Sequence, residues 1–165
     1  MFSSRYCLCF LFCFLCNVSR SQIMDIEEKK PVVVNGIEFG YIIKNEQTKS
    51  VSKEEYARFE ITLYATNKSG CTRLYAERPS EPETQNVLAT FNCINANGKR
   101  LTSKNGHVSV KDFIVQVKVN DKTTGAKAGF IFRNGETIKD NVIMLVPLNE
   151  RPKIQCTVNY LPELQ

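Results

Sequence analysis

The sequence predicts an all-β domain, an antiparallel β-sandwich of immunoglobulin-like type with about eight or nine short strands. Three observations carry this. Apolar and polar residues alternate with period 2, as in Phe59, Ile61 and Leu63 against Glu60, Thr62 and Tyr64. Turn-forming pairs punctuate the runs: Asn97-Gly98 and Asn134-Gly135 both tolerate the positive φ of tight hairpins. No long 3.6-residue periodicity separates the strands, which argues against an α/β arrangement.

Taken in order, residues 1–21 have the three parts of a signal peptide. Arg5 supplies a basic start, Leu8–Leu15 an apolar block, and Asn17, Ser19 and Ser21 the small or polar residues before a cut. The block is shorter than the ~20 residues that cross a bilayer, which favours a signal over an anchor. Cys13 and Cys16 lie where a lipoprotein would carry its acylated cysteine, but the bulky Phe12 and Leu15 precede them. Residues 22–31 read as a flexible polar lead-in ending at Pro31, and residues 32–165 as a single sandwich domain.

Within that domain, Gly36–Lys44 is rich in Ile, Phe and Tyr, and Asn67–Gly70 makes a tight connection to Cys71–Ala76. Pro79–Pro82 is a loop, because proline cannot donate within a central ladder. Val87–Ile94, Phe113–Val119, Gly129–Arg133, Val142–Val146 and Lys153–Val158 are further strands, with Asp121–Gly125 as a polar connection. Ser52 and Glu55 have the spacing of a capping box and suggest one short helix. The chain has no tryptophan and so lacks the Cys…Trp…Cys signature of immunoglobulin domains. It contains no internal repeat and no low-complexity tract.

The formal net charge is +5, and it shrinks when Arg5 and Arg20 leave with the signal. Interspersed charge of this size implies no nucleic-acid or other polyanionic partner. Four of the seven cysteines, Cys7, Cys9, Cys13 and Cys16, also lie in the signal. Cys71, Cys93 and Cys156 remain, and an oxidising compartment favours one disulfide and one thiol. Of the three pairings we expect Cys71–Cys93, which closes a loop of roughly 20 residues and would contribute about 3 kcal/mol. Cys156 shares a face with Ile154 and Val158 and reads as a buried thiol.

Candidate chemistry is sparse. His107 is the one histidine and follows Asn105-Gly106. Ser103 and Ser109 are near it, but no nucleophile-elbow pattern surrounds either, so an exposed loop histidine is the plain reading. Cys71, Cys93, Cys156 and His107 have the composition of a zinc site without the close C-x2–4-C pair such sites use. No metal or cofactor is therefore expected. Glu54, Glu55, Glu60, Glu77 and Asp112 could supply a carboxylate pair for glycoside hydrolysis, which needs no local motif. Tyr64 and Tyr75 could serve as sugar platforms or pack against neighbouring strands. Lys99, Arg100 and Lys104 beside the Asn97-Gly98 turn could meet an anionic glycan or headgroup, or simply solvate a hairpin. Asn67-Lys68-Ser69 is a glycosylation sequon, meaningful in a eukaryotic secretory pathway.

Three runs carry a resemblance: Asn67–Tyr75 with Ser69-Gly70-Cys71-Thr72-Arg73-Leu74-Tyr75, Ala89–Lys104 with Arg100-Leu101-Thr102-Ser103-Lys104, and Gly129–Pro147 with its Ile143–Pro147 ending. The chain resembles small exported bacterial β-sandwich proteins that have no assigned function. The resemblance implies an exported protein and adds no functional residue. We therefore expect a non-enzymatic binding or structural module of the cell envelope or secreted space, partnered by a protein or glycan at the cell surface. The alternative is a hydrolase acting on glycans or envelope polymers, marked by a concave pocket with convergent carboxylates or by His107 paired to an acid.

Overall fold

Hairpin turns built from asparagine, aspartate and glycine set the register of much of the chain. A computed structural model describes residues 22–51, 54–77, 85–94 and 105–164. Along them run β1 (Gln22–Ile26), β2 (Val32–Val34), β3 (Ile37–Val51), β4 (Glu54–Asn67), β5 (Arg73–Tyr75) and β6 (Val87–Ile94). They are followed by β7 (Gly106–Ser109), β8 (Lys111–Val119), β9 (Lys122–Phe132), β10 (Thr137–Pro147) and β11 (Lys153–Val158). All pairings are antiparallel, in sheets ordered β1-β11-β6-β7, β10-β4-β3-β2 and β5-β9-β8.

Asn35 and Gly36 join β2 to β3 with φ of 49° and 75°, and Asn120 and Asp121 join β8 to β9 with φ of 48° and 61°. Two-residue turns with both φ positive match the right-handed strand twist and so fix these hairpins. The polar connection expected at Asp121–Gly125 is thus confined to Asn120-Asp121, and Thr123–Gly125 belongs to β9. The Asn134-Gly135 turn forms as expected, closed by a bond from the Glu136 N–H to the Arg133 carbonyl at 3.0 Å.

Two further expectations are corrected. Glu54 and Glu55 open a strand rather than a helix, because β4 pairs along its length with the 15-residue β3. Cross-strand pairing outweighs a two-residue capping signal. Gln22–Ile26, within the expected lead-in, instead pairs with Val158–Ile154 of the last strand, and Ile26 is buried. Residues 1–21, Ser52, the Pro79–Pro82 loop, and the Asn97-Gly98 turn with Lys99, Arg100 and Lys104 lie outside the described residues.

The core forms where the sheets meet. Phe39, Phe59, Phe91, Phe130 and Phe132 are fully buried and come from β3, β4, β6 and β9, so each sheet supplies at least one. The β9 strand leaves this core through a bulge: pairing steps from Phe113–Gly129 to Ile114–Lys127, with Ala128 as the extra residue. Bulges bend the strand that carries them. Beyond it β8 and β9 pair only with each other and are mostly exposed. Gly129 is required at this bend, since its φ is 131° and a Cβ there would lie 2.3 Å from the Tyr75 carbonyl oxygen.

One polar side chain sits wholly inside this framework. Asn67, the last residue of β4, is fully buried. Its Nδ2 donates to the carbonyls of Cys71 and Phe132, both at 2.9 Å. Its Oδ1 accepts from the Ser69 N–H at 3.1 Å and the Ser69 hydroxyl at 2.6 Å. Its own N–H donates to Glu136 at 2.9 Å, and its carbonyl accepts from Gly135 at 2.8 Å. The amide therefore has all four bonds it can make. It joins the β4–β5 turn, the end of β9 and the β9–β10 turn.

Asn67→Ala strands the buried Phe132 carbonyl together with the part-buried Cys71 carbonyl and Ser69 N–H. Each such group costs about 1–3 kcal/mol, so the variant should lose about 3 kcal/mol in urea unfolding. Because the nitrogen that would carry a sugar is committed to two hydrogen bonds, folded protein secreted from a eukaryotic host should carry no glycan at Asn67 by intact-mass measurement.

Candidate functional site

The chain ends of the sheets leave a cleft. It is lined by Gln22 of β1, Leu88 of β6 and Val158 of β11, by Val34, Ile37 and Phe39 of the β2–β3 hairpin, and by Tyr75 of β5 and the tail residues Tyr160, Leu161 and Leu164. Its volume is about 480 Å³. That lies within the ~300–1,000 Å³ of small-molecule sites.

The sequence builds this wall through one arginine. Arg73 on β5 donates through Nη1 to the Glu163 carboxylate, through Nη2 to the Asn35 carbonyl at 2.5 Å, and through Nε to the Ser69 hydroxyl at 3.2 Å. It thereby ties the C-terminal tail, the β2–β3 turn and the β4–β5 turn together. Backbone bonds from Ala76 to Pro162 at 2.8 Å and from Leu164 to Leu74 at 2.9 Å run the tail alongside β5. Glu163 is the one carboxylate among the residues lining the cleft, and Arg73 neutralises it. Tyr75 is 3% exposed, and its hydroxyl has no hydrogen-bond partner among the described residues. Burial pushes this phenol up to about 12.

A second, smaller depression of about 290 Å³ is lined by residues of β3, β4 and β10. Thr62 donates to Asn141 at 2.7 Å among the lining residues, which also include Lys44, Glu60 and the exposed Ile143.

The residues singled out from the sequence fall elsewhere. The expected Cys71–Cys93 disulfide is absent, and both cysteines are unbonded. Cys71 is exposed in the β4–β5 turn, whereas Cys93 is buried on β6 opposite Ile154 of β11, in a different sheet. Cys156 is also an unbonded, buried thiol. Burial pushes the Cys93 thiol up to about 11 and the Cys156 thiol up to about 12.

His107 is exposed on β7. Its Nδ1 lies 3.2 Å from the Thr90 hydroxyl, and Asp140 accepts at 2.9 Å from its backbone N–H rather than from its ring. A catalytic histidine is oriented by an acid on the imidazole itself, and among the described residues no acid bonds this ring. Two of the candidate carboxylates do converge: Glu77 and Asp112 each lie 3.0 Å from Lys127 Nζ, which also sits 4.2 Å over the Phe130 ring. Glu60 is held by Arg58 at 2.5 Å. Tyr64 is half-buried over Gly40, where any Cβ would strike its hydroxyl at 2.4 Å. Tyr75 is a wall residue rather than an exposed sugar platform.

Sequence reasoning missed Arg73 and the tail Tyr160–Leu164. Arg73 follows Cys71 within a stretch singled out for its cysteine and tyrosine, and its partners lie 4, 38 and 90 residues away, beyond any local pattern. No known protein family, curated protein or solved structure matches the chain.

Two outcomes follow from burial. A thiol reagent should modify Cys71 in the native protein and reach Cys93 and Cys156 only on unfolding. The unfolded thiols and phenol ionise near 9.0 and 10.0, but Cys93, Cys156 and Tyr75 hold their protons to about 11, 12 and 12 in the fold. The unfolded state thus releases protons that the folded state keeps. Their contribution to stability is full below about pH 9 and is lost as pH rises toward 12. Urea midpoints should fall between pH 8 and pH 10.5, and a flat profile would show that these groups are not buried as described.

Proposed function

We propose that the chain is an exported, non-enzymatic binding module of the cell envelope or secreted space. The observation that carries this is the chemistry of the end cleft. It is large enough for a small molecule, its lining is polar and apolar in about equal measure, and its one carboxylate is already paired with Arg73. Such a site can hold a molecule, and among the described residues that line it there is neither an unpaired carboxylate nor a histidine, cysteine or serine to attack it. Hydrolysis of a glycosidic bond needs two carboxylates about 5–9.5 Å apart with one of them ionised and free. Glu77 and Asp112, which do meet, both contact a lysine.

The export part of this reading rests on Arg5, Leu8–Leu15 and the small residues up to Ser21. The immunoglobulin-like sandwich belongs to the same proposal. Its support is that two four-stranded antiparallel sheets share one apolar cluster, with Phe39 and Phe59 from one and Phe91 from the other.

The test uses residues 22–165 incubated with cell-wall glycan and, separately, with the uncharged apolar reporter N-phenyl-1-naphthylamine. We expect saturable reporter binding near one per chain and no release of reducing ends. Release of reducing ends that scales with protein, and that disappears in Glu163→Gln or Glu77→Gln, would establish the hydrolase instead.

A further inference from the structure

We propose that two copies of the chain pair through the free edge of β8, antiparallel and centred on Val115, so that their three-stranded sheets join into one. The proposal is independent of the cleft and of what the cleft holds.

The sheet ordered β5-β9-β8 has two edges of different character. The outer side of β5 is taken by the C-terminal tail: Leu164 donates to the Leu74 carbonyl at 2.9 Å, and Pro162 accepts from the Ala76 N–H at 2.8 Å. The other edge, β8, pairs with β9 and with no other strand among the described residues. An open edge is a template for a further strand, and proteins commonly guard one with proline, charge or a bulge. β8 has no proline, and the extra residue of its bulge, Ala128, lies on β9. Its charges, Lys111, Asp112 and Lys118, stand toward the two ends and leave Phe113–Val117 uncharged. Phe113, Val115 and Val117 share one face and are only half-buried, since beyond the bulge the ribbon is two strands wide. Two strands are too few to bury a face.

The occupant is a second copy because this strand is complementary to itself. A two-fold axis perpendicular to the sheet keeps like faces together, so it passes through a residue and not between two. Centred on Val115, it sets Phe113 opposite Val117 of the other copy, Ile114 opposite Gln116, and Asp112 opposite Lys118, each pair twice. Aromatic–β-branched and opposite-charge pairs are those that stabilise cross-strand neighbours. An axis through Ile114 or Gln116 would lose the charge match, placing Lys118 against Val110 or Ile114. In the single chain, Lys118 lies 3.0 Å from Asp121, which is 94% exposed, and Asp112 shares Lys127 with Glu77. Exposed ion pairs of this kind are worth little, so they oppose the new pairing weakly. Association also closes at two copies. It consumes both open edges, and the outer edges of the joined sheet are the two β5 strands under their tails.

Sedimentation equilibrium of residues 22–165 reads this state directly. One short edge makes a small interface, under about 1,200 Å², so we expect a reversible monomer–dimer equilibrium that is mostly dimer by about 500 µM chain, with no larger species. Lys118→Asp and Asp112→Lys each set like charges opposite one another, and each variant by itself should dimerise about tenfold more weakly. Mixed in equal amounts, the two variants face each other with opposite charge at both positions, and the mixture should regain the strength of the unchanged chain. Val115→Lys sets two lysines together on the axis and should leave only monomer. Thr124→Lys, exposed on the same face of the ribbon but on β9, should dimerise as the unchanged chain does.

A monomer at the highest concentration would overturn the proposal. So would species larger than a dimer, a dimer that survives Val115→Lys, a mixture no stronger than its two components, or loss of the dimer in Thr124→Lys.

Discussion

The amide of Asn67 is the constraint on which this end of the molecule depends. Strands end where their backbone groups lose ladder partners, and a buried strand end must find others. β4 ends at Asn67, inside the protein, where the chain must turn toward β5 while β9 also ends and turns toward β10. Carbonyls of two separate segments, Cys71 and Phe132, point at one place and need donors. A primary amide offers two N–H donors and an acceptor oxygen on one short side chain. Aspartate would present oxygen to both carbonyls, and glutamine would add a methylene in a closely packed interior.

The cleft follows from that junction. With the β4–β5 turn fixed, Ser69 is set to receive Arg73, and Arg73 in turn reaches Asn35 and Glu163. Lys68 continues the same clamp: its N–H donates to the Gly36 carbonyl at 2.8 Å, and its ammonium pairs with Glu38. The C-terminal tail can then lie along β5 while the β2–β3 hairpin stands opposite. What separates them is space lined by side chains that the core does not fill. The exposed part of the β8–β9 ribbon and the apolar edge of β10 contribute little to this arrangement. On β10, Lys139 and Pro147 frame Ile143 and Leu145, as edge strands commonly carry charge and proline against unwanted pairing.

The all-β class was legible because alternation is a local signal: Phe59, Ile61 and Leu63 are buried, as their spacing indicates. The Asn134-Gly135 turn was legible for the same reason. Asn35-Gly36 carries an equal signal between two apolar runs, but its glycine also reads as the start of the Ile-, Phe- and Tyr-rich run Gly36–Lys44, which hides the turn. The Ser52–Glu55 capping signal misled because a helix start is cheap to write in four residues, whereas the 14-residue β4 is held by pairing on both sides. The Cys71–Cys93 expectation failed because loop length says nothing about which sheet each cysteine joins. The cleft was illegible because each of its walls comes from a different part of the chain. The Asn67-Lys68-Ser69 triplet reads as a surface sequon until the amide is seen to be structural.

Hydrogen exchange tests the central role of this junction most directly. If the Asn67 amide closes the β4, β9 and β10 ends into one cooperative unit, the N–H groups of Asn67 and Gly135 exchange only through global unfolding, at the same free energy as the β3–β4 core amides. Exchange of those two amides at much lower free energy than the core, through local opening of the turns, would contradict the account.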